Sequence, residues 1–158
     1  MAAAKRHLVY EDEARRFLSL RLQRPFDFCS PFGDQDFALL LFARDAALSA
    51  DEQRALSNAF VAQGCRYAVC AGLEPSSWDD SIDEAYLAMT PAGDARDPRF
   101  VMTSWHEDEP IEEVAAFFVG CTSFDDFVPA RFLVVCLGGN QADEVALRRT
   151  VLAAITDS

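Results

Sequence analysis

An α/β domain with a mostly parallel sheet is the fold class this sequence predicts, and three observations predict it. From residue 37 onward, an apolar run is followed by an amphipathic segment four times. The runs are continuous rather than alternating, as expected of strands covered on both faces. Strands that alternate with helices pair in parallel through right-handed crossovers, which puts helices on both faces of the sheet. The expected architecture is a small three-layer α/β/α domain of four β-α units with a possible extra edge strand. Residues 1–36 are expected to pack on it as an N-terminal helical extension, so that 1–158 forms a single domain.

Each element has its own signal. In the extension, Ala14, Phe17, Leu18 and Leu22 recur at helical spacing, and Pro25–Gly33 reads as an aromatic loop carrying Phe26, Phe28 and Phe32. Phe37–Ala43 is the first strand. Ser49 and Glu52 then form a capping-box pattern, Leu56, Ala59 and Phe60 share one helical face, and Gly64 suits a stop. Cys65–Ala71 is the second strand. Ser77 is placed to cap the next helix, with Asp79 and Asp80 in its first turn and an apolar stripe of Trp78, Ile82, Ala85, Tyr86 and Met89. Thr90-Pro91 ends that helix, and a polar loop covers residues 92–98. Arg99–Trp105 is the third strand, and Pro110 fits the first position of a helix burying Ile111, Val114, Ala115 and Phe118. Arg131–Leu137 is the fourth strand; Gly138, Gly139 and Asn140 turn the chain into a last helix carrying Val145, Leu152 and Ile155.

Composition narrows the function classes. The chain has 158 residues and a net charge of −12, from 26 acidic residues against 14 basic ones, of which Lys5 is the one lysine. Such a surface repels phosphate backbones, and the adjacent pairs Arg15–Arg16 and Arg148–Arg149 read as isolated pairs on helices rather than a basic patch. Nucleic acid is therefore excluded as a partner, and no apolar run approaches membrane-spanning length. The five cysteines, Cys29, Cys65, Cys70, Cys121 and Cys136, form neither a CxxC pair nor zinc-ligand spacing. Their odd number argues against a full disulfide framework, and the chain reads as a cytoplasmic, bacterial-type protein.

Ligands of open parallel sheets bind beyond the carboxyl ends of the strands. Arg44 and Asp45 lie beyond the first strand, Gly72 and Glu74 beyond the second, His106–Glu109 beyond the third, and Gly138–Asn140 beyond the fourth. In an enzyme, His106, Asp108 and Arg44 are the catalytic candidates, with Glu74, Glu107, Gly139 and Asn140 as ligand-binding residues. The carboxylates there suit Mg²⁺ or Mn²⁺, and His106 suits acid–base work. The competing account makes Asp108 or Glu109 a helix cap and the glycines a tight turn capped by Asn140. No P-loop, GxGxxG or GxSxG pattern is present. A receiver-type phosphoacceptor lacks its lysine after the fourth strand.

Adjacent Phe117 and Phe118 cannot share one core face. One of them, with Phe124 and Phe127 in the loop 122–130, is therefore an interface candidate unless the N-terminal segment covers it. The leading expectation is a protein-binding or regulatory domain of adaptor or immunity type, needing no cofactor, whose partner is another protein, basic in character. The alternative is a metal-dependent enzyme acting on a nucleotide or phosphoester at the carboxyl edge.

Overall fold

Six strands and four helices follow one another along a computed structural model that describes residues 4–90 and 97–157. The strands are β1 (Arg6–Glu11), β2 (Arg16–Leu22), β3 (Phe37–Ala43), β4 (Cys65–Gly72), β5 (Met102–Trp105) and β6 (Arg131–Leu137). The helices are α1 (Ala50–Ala62), α2 (Pro75–Met89), α3 (Ile111–Gly120) and α4 (Gln141–Thr156). All strands join one sheet in the order β1-β2-β6-β3-β4-β5, parallel except for the antiparallel pair β1–β2. The expected α/β class with a mostly parallel sheet is what the chain forms.

The N-terminal segment corrects the sequence reading. It is a β-hairpin, not a helical extension, and β2 lies inside the sheet between β1 and β6. The reason is a period of two in Phe17–Leu22. Leu18, Leu20 and Leu22 enter one buried cluster, while Phe17 enters the cluster on the other face. Asp12 makes the turn: its Oδ1 accepts from the backbone N–H groups of Ala14 and Arg15, each at 2.8 Å. Those amides hold its carboxyl below the usual carboxylate value. Arg15 and Arg16 thus close a turn and open a strand rather than riding a helix. The loop after β2 sends Phe26, Phe28 and Phe32 into the same cluster as α1 and α2, whereas Phe117, Phe124 and Phe127 belong to or pack on the other cluster, which also takes in Phe17, Val9 and Tyr10 of the N-terminal hairpin.

Two buried clusters divide the helices. Leu56 and Phe60 of α1 and Trp78, Ile82, Ala85 and Tyr86 of α2 join one; Val114, Ala115 and Phe118 of α3 and Leu147, Val151 and Ile155 of α4 join the other. In α4 the buried stripe is therefore Leu147–Val151–Ile155; Leu152 is exposed and Val145 only half-buried. The Ser49–Glu52 capping box starts α1 as the pattern predicts. Ser77 does not cap α2, which begins earlier at Pro75 behind Glu74, and this moves Asp79 out of the first turn. Residues 92–96 of the predicted polar loop lie outside the described residues. Among the described residues no helix is long and apolar enough to cross a membrane.

Burial makes the core thiols unreactive. Cys65, Cys70 and Cys136 are buried, and desolvation raises all three thiols, that of Cys136 to about 11. Cys29 and Cys121 are exposed.

Asp79 gives a pH-dependent prediction. On α2 it is 6% exposed, and its Oδ1 has no hydrogen-bond partner. Burial raises its pKa; the nearby Thr103 hydroxyl, which donates to Asp83 Oδ1 at 2.9 Å, opposes the shift, and nearby Asp80 reinforces it. A carboxyl whose folded pKa exceeds its unfolded value stabilises the fold in acid and loses that contribution as pH rises through the folded value. Asp79→Asn is therefore expected to be more stable than the parent near pH 7, by on the order of 1 kcal/mol. The gain shrinks toward the ordinary value of 3.8. Urea melts of both proteins across pH check the sign.

Candidate functional site

Between β6 and β3, the carboxyl edge of the sheet is closed by the protein's own groups. β6 and β3 are neighbours whose outgoing helices join opposite clusters, the place where open sheets bind ligands. At α4, Asn140 Oδ1 accepts from the Asp143 amide at 2.9 Å while Asp143 Oδ2 accepts from the Asn140 amide at 2.9 Å. Arg44 lies 3.6 Å from the same Asp143 carboxylate. At α1, Glu52 caps Ser49 and pairs with Arg24. Both helix N-termini therefore already hold a carboxylate matched by an arginine. Gly138 has φ +77, and a Cβ there would lie 2.7 Å from the Asp45 Cβ, so the turn requires glycine for close approach. Asn140 caps, and Gly139 sits beside Asp143 and Arg44.

Arg44, His106 and Asp108 are not gathered into one cleft. Arg44 follows β3 and His106 follows β5, with β4 between, so roughly 10 Å of sheet separates the two strands. The His106 side chain is 8% exposed and fully engaged. Its Nδ1 lies 2.9 Å from Glu109 Oε2 and its Nε2 lies 3.0 Å from Ser104 Oγ, while its ring packs 4.8 Å from that of Phe117. Glu109 thus orients His106 rather than capping α3, which starts behind Pro110 with no side-chain cap. Pro110 stands one position before the helix, not at its first residue. Asp108 and Glu107 are exposed, Asp108 at φ +57, and Glu74 is exposed at φ +51. Among the described residues no three His, Cys, Asp or Glu side chains come together as a metal-binding group.

The opposite, amino edge carries an open groove of about 800 Å³. It forms where β3, β4 and β6 begin, and its lining includes Asp36, Arg66, Asp97, Phe124, Phe127 and Arg131, together with Asp125, Asp126 and Val128. A tight turn presents the last three: Phe124 and Phe127 exchange backbone hydrogen bonds of 3.0 and 2.8 Å, with Asp125 at φ +46. Phe124 anchors the turn by edge contacts to Tyr67 and Phe100 at 6.1 Å. The Arg66 guanidinium lies over both rings, 5.5 Å from Phe124 and 5.1 Å from Phe127. Its Nε donates to the Phe100 carbonyl at 2.9 Å and its Nη1 reaches Asp36 at 3.4 Å, so this cation is spent inside the wall. Asp97 is held below the usual carboxylate value by the Arg99 amide and then by the Tyr86 hydroxyl. Asp125 and Asp126 are exposed with no ion-pair partner among the described residues, and Val128 is 76% exposed. Four aspartates thus face two arginines, of which Arg66 pairs with Asp36 and Arg131 donates from Nε to the Asp36 carbonyl at 2.8 Å.

Of the three aromatic candidates, Phe124 and Phe127 line this groove. Phe117 does not; it is half-buried against Tyr67 and His106, and Phe118 fills the core. Sequence reasoning missed Arg66, Asp36 and Val128. Arg66 had a signal, since an arginine second in a buried strand must bring its head group to partners at the strand's end.

No curated protein and no solved structure matches the chain. The model of one family, a domain of unknown function named DUF7684, matches residues 15–154. That span runs from the turn before β2 into the last turns of α4 and takes in the whole amino-edge groove, and the chain belongs to the DUF7684 family.

Proposed function

We propose that this protein is a protein-binding domain, of adaptor or immunity type, that takes a basic segment of another protein into the amino-edge groove. One observation carries the reading: Asp125, Asp126 and Val128 stand exposed together on a turn rigidly anchored by Phe124 and Phe127. Uncompensated carboxylates beside an exposed apolar side chain complement a lysine- or arginine-rich segment bearing an apolar residue. The net charge of −12 would steer such a partner inward and turn nucleic acid away.

The reading takes the fold as a single three-layer α/β/α body of four β-α units in a cytoplasmic protein. The alternation of strands and helices after Phe37 and the two buried clusters support it. An enzyme using Arg44, His106 and Asp108 with Mg²⁺ or Mn²⁺ would need those groups free and convergent. The reading instead treats the Arg44–Asp143 and His106–Glu109 pairs as supports of the sheet edge.

The test is fluorescence anisotropy with a short labelled peptide of alternating lysine and leucine. The parent is expected to bind it in a salt-sensitive manner. The double variant Asp125→Asn/Asp126→Asn, which keeps a residue tolerant of positive φ at position 125, is expected to bind about tenfold more weakly with an unchanged melting temperature. Equal affinity of parent and variant, or no binding by the parent, would overturn the proposal.

A further inference from the structure

A second cavity, at the other end of the sheet, inverts the charge of the molecule. It holds about 460 Å³ and lies where β1 begins and β2 ends, beside the first turns of α4. Lys5, His7, Arg21, Arg24 and Arg148 all line it, against Asp27 and Glu144. The sequence leaves Arg148 in an isolated pair; the hairpin pairing and α4 bring it to Lys5, His7 and Arg21. His7 stands opposite Ser19 across the β1–β2 ladder, on the face that α4 covers.

Glu144 organises the pocket. It is 3% exposed, a burial that a carboxylate tolerates only when bonded. Its Oε1 accepts from Ser19 Oγ at 3.4 Å and lies 3.7 Å from His7 Nε2, and its Oε2 accepts from Arg148 Nε at 3.3 Å. One buried carboxylate thus fixes the imidazole and the guanidinium at the pocket wall. Arg21 is oriented by donating from Nη1 to the Gly139 carbonyl at 3.1 Å and from Nη2 to the Gln23 side-chain oxygen at 3.0 Å. Lys5 has no ion-pair partner among the described residues. Arg24 is engaged elsewhere, by Glu52, Asp45 and the Ala47 carbonyl. Lys5, Arg21 and Arg148 therefore keep unused donors around a cavity with buried Leu22 in its wall.

We infer that this pocket binds a small phosphate monoester. Forked arginines and a lysine suit a dianionic phosphate, and the volume leaves room for an organic group on the ester oxygen. The site is distinct from the amino-edge groove and does not depend on that reading.

The test is calorimetric titration of the full chain with methyl phosphate and, separately, with inorganic phosphate. Saturable binding of methyl phosphate is expected, with inorganic phosphate weaker. Arg21→Gln and Lys5→Ala are each expected to weaken it about tenfold, with the ligand-free melting temperature unchanged. Arg54→Gln, which removes an exposed charge on α1 outside the pocket, is expected to bind like the parent. Absence of saturable binding by the parent would overturn the inference. So would unaltered affinity in both pocket variants, or an equal loss in Arg54→Gln, which would mark diffuse electrostatics rather than a site.

Discussion

Phe17→Ala is expected to destabilise the protein by about 3–5 kcal/mol, a large part of the 5–15 kcal/mol typical of a domain. Phe17 is fully buried on β2, an interior strand. Its ring stacks on Phe132 of β6 at 4.1 Å with 12° between planes, and meets Phe118 of α3 edge-on at 6.3 Å. Truncation removes the centre of an aromatic trio built from two strands and a helix, and the neighbouring strands cannot collapse into the space. On a surface helix the same change would cost far less. Urea denaturation of parent and variant at neutral pH measures the difference.

The second large effect falls at a residue that looks harmless. Gly72 is solvent-exposed, yet Gly72→Ala is expected to cost about 2–5 kcal/mol, combining backbone strain with a steric clash. Gly72 has φ +88, and a Cβ there would lie 2.2 Å from the Ala43 carbonyl oxygen and 2.8 Å from the Ala43 nitrogen. Neither neighbour is a flexible side-chain tip. That carbonyl also accepts from the Leu73 amide at 2.8 Å, so relief of the clash breaks the bond joining the ends of β3 and β4. Leu73→Ala, at a side chain 41% exposed, is expected to stay within about 0.5 kcal/mol of the parent. Thermal melts of the pair separate backbone strain from a general sensitivity of the turn.

The central part of the fold was legible because its signals are local. The largely apolar runs Phe37–Ala43, Cys65–Ala71 and Arg131–Leu137 announce strands, and Ser49 with Glu52 announces a helix start. The hairpin was misread because Ala14, Phe17, Leu18 and Leu22 fit a helical period while Leu18, Leu20 and Leu22 fit a period of two equally well. Only pairing with β6 decides between them. β5 is shorter than its run because Asp97–Phe100 form a turn, closed by the Phe100 amide donating to the Asp97 carbonyl at 2.9 Å, and the Phe100 carbonyl accepts from Arg66 instead of joining the ladder. The two cavities were hidden for a different reason. Asp36, Arg66, Asp97 and residues 124–131 are far apart in the chain, as are Lys5, Arg21 and Arg148, and topology alone makes them neighbours.

Amide chemical-shift mapping of the labelled protein, titrated with the lysine–leucine peptide, tests the central claim most directly. The account predicts saturable shifts confined to Arg66, Phe124–Val128 and Arg131, lost in the Asp125→Asn/Asp126→Asn variant. Shifts centred instead on Arg44, His106 and Gly139 at the carboxyl edge, or none at saturating peptide, would contradict it.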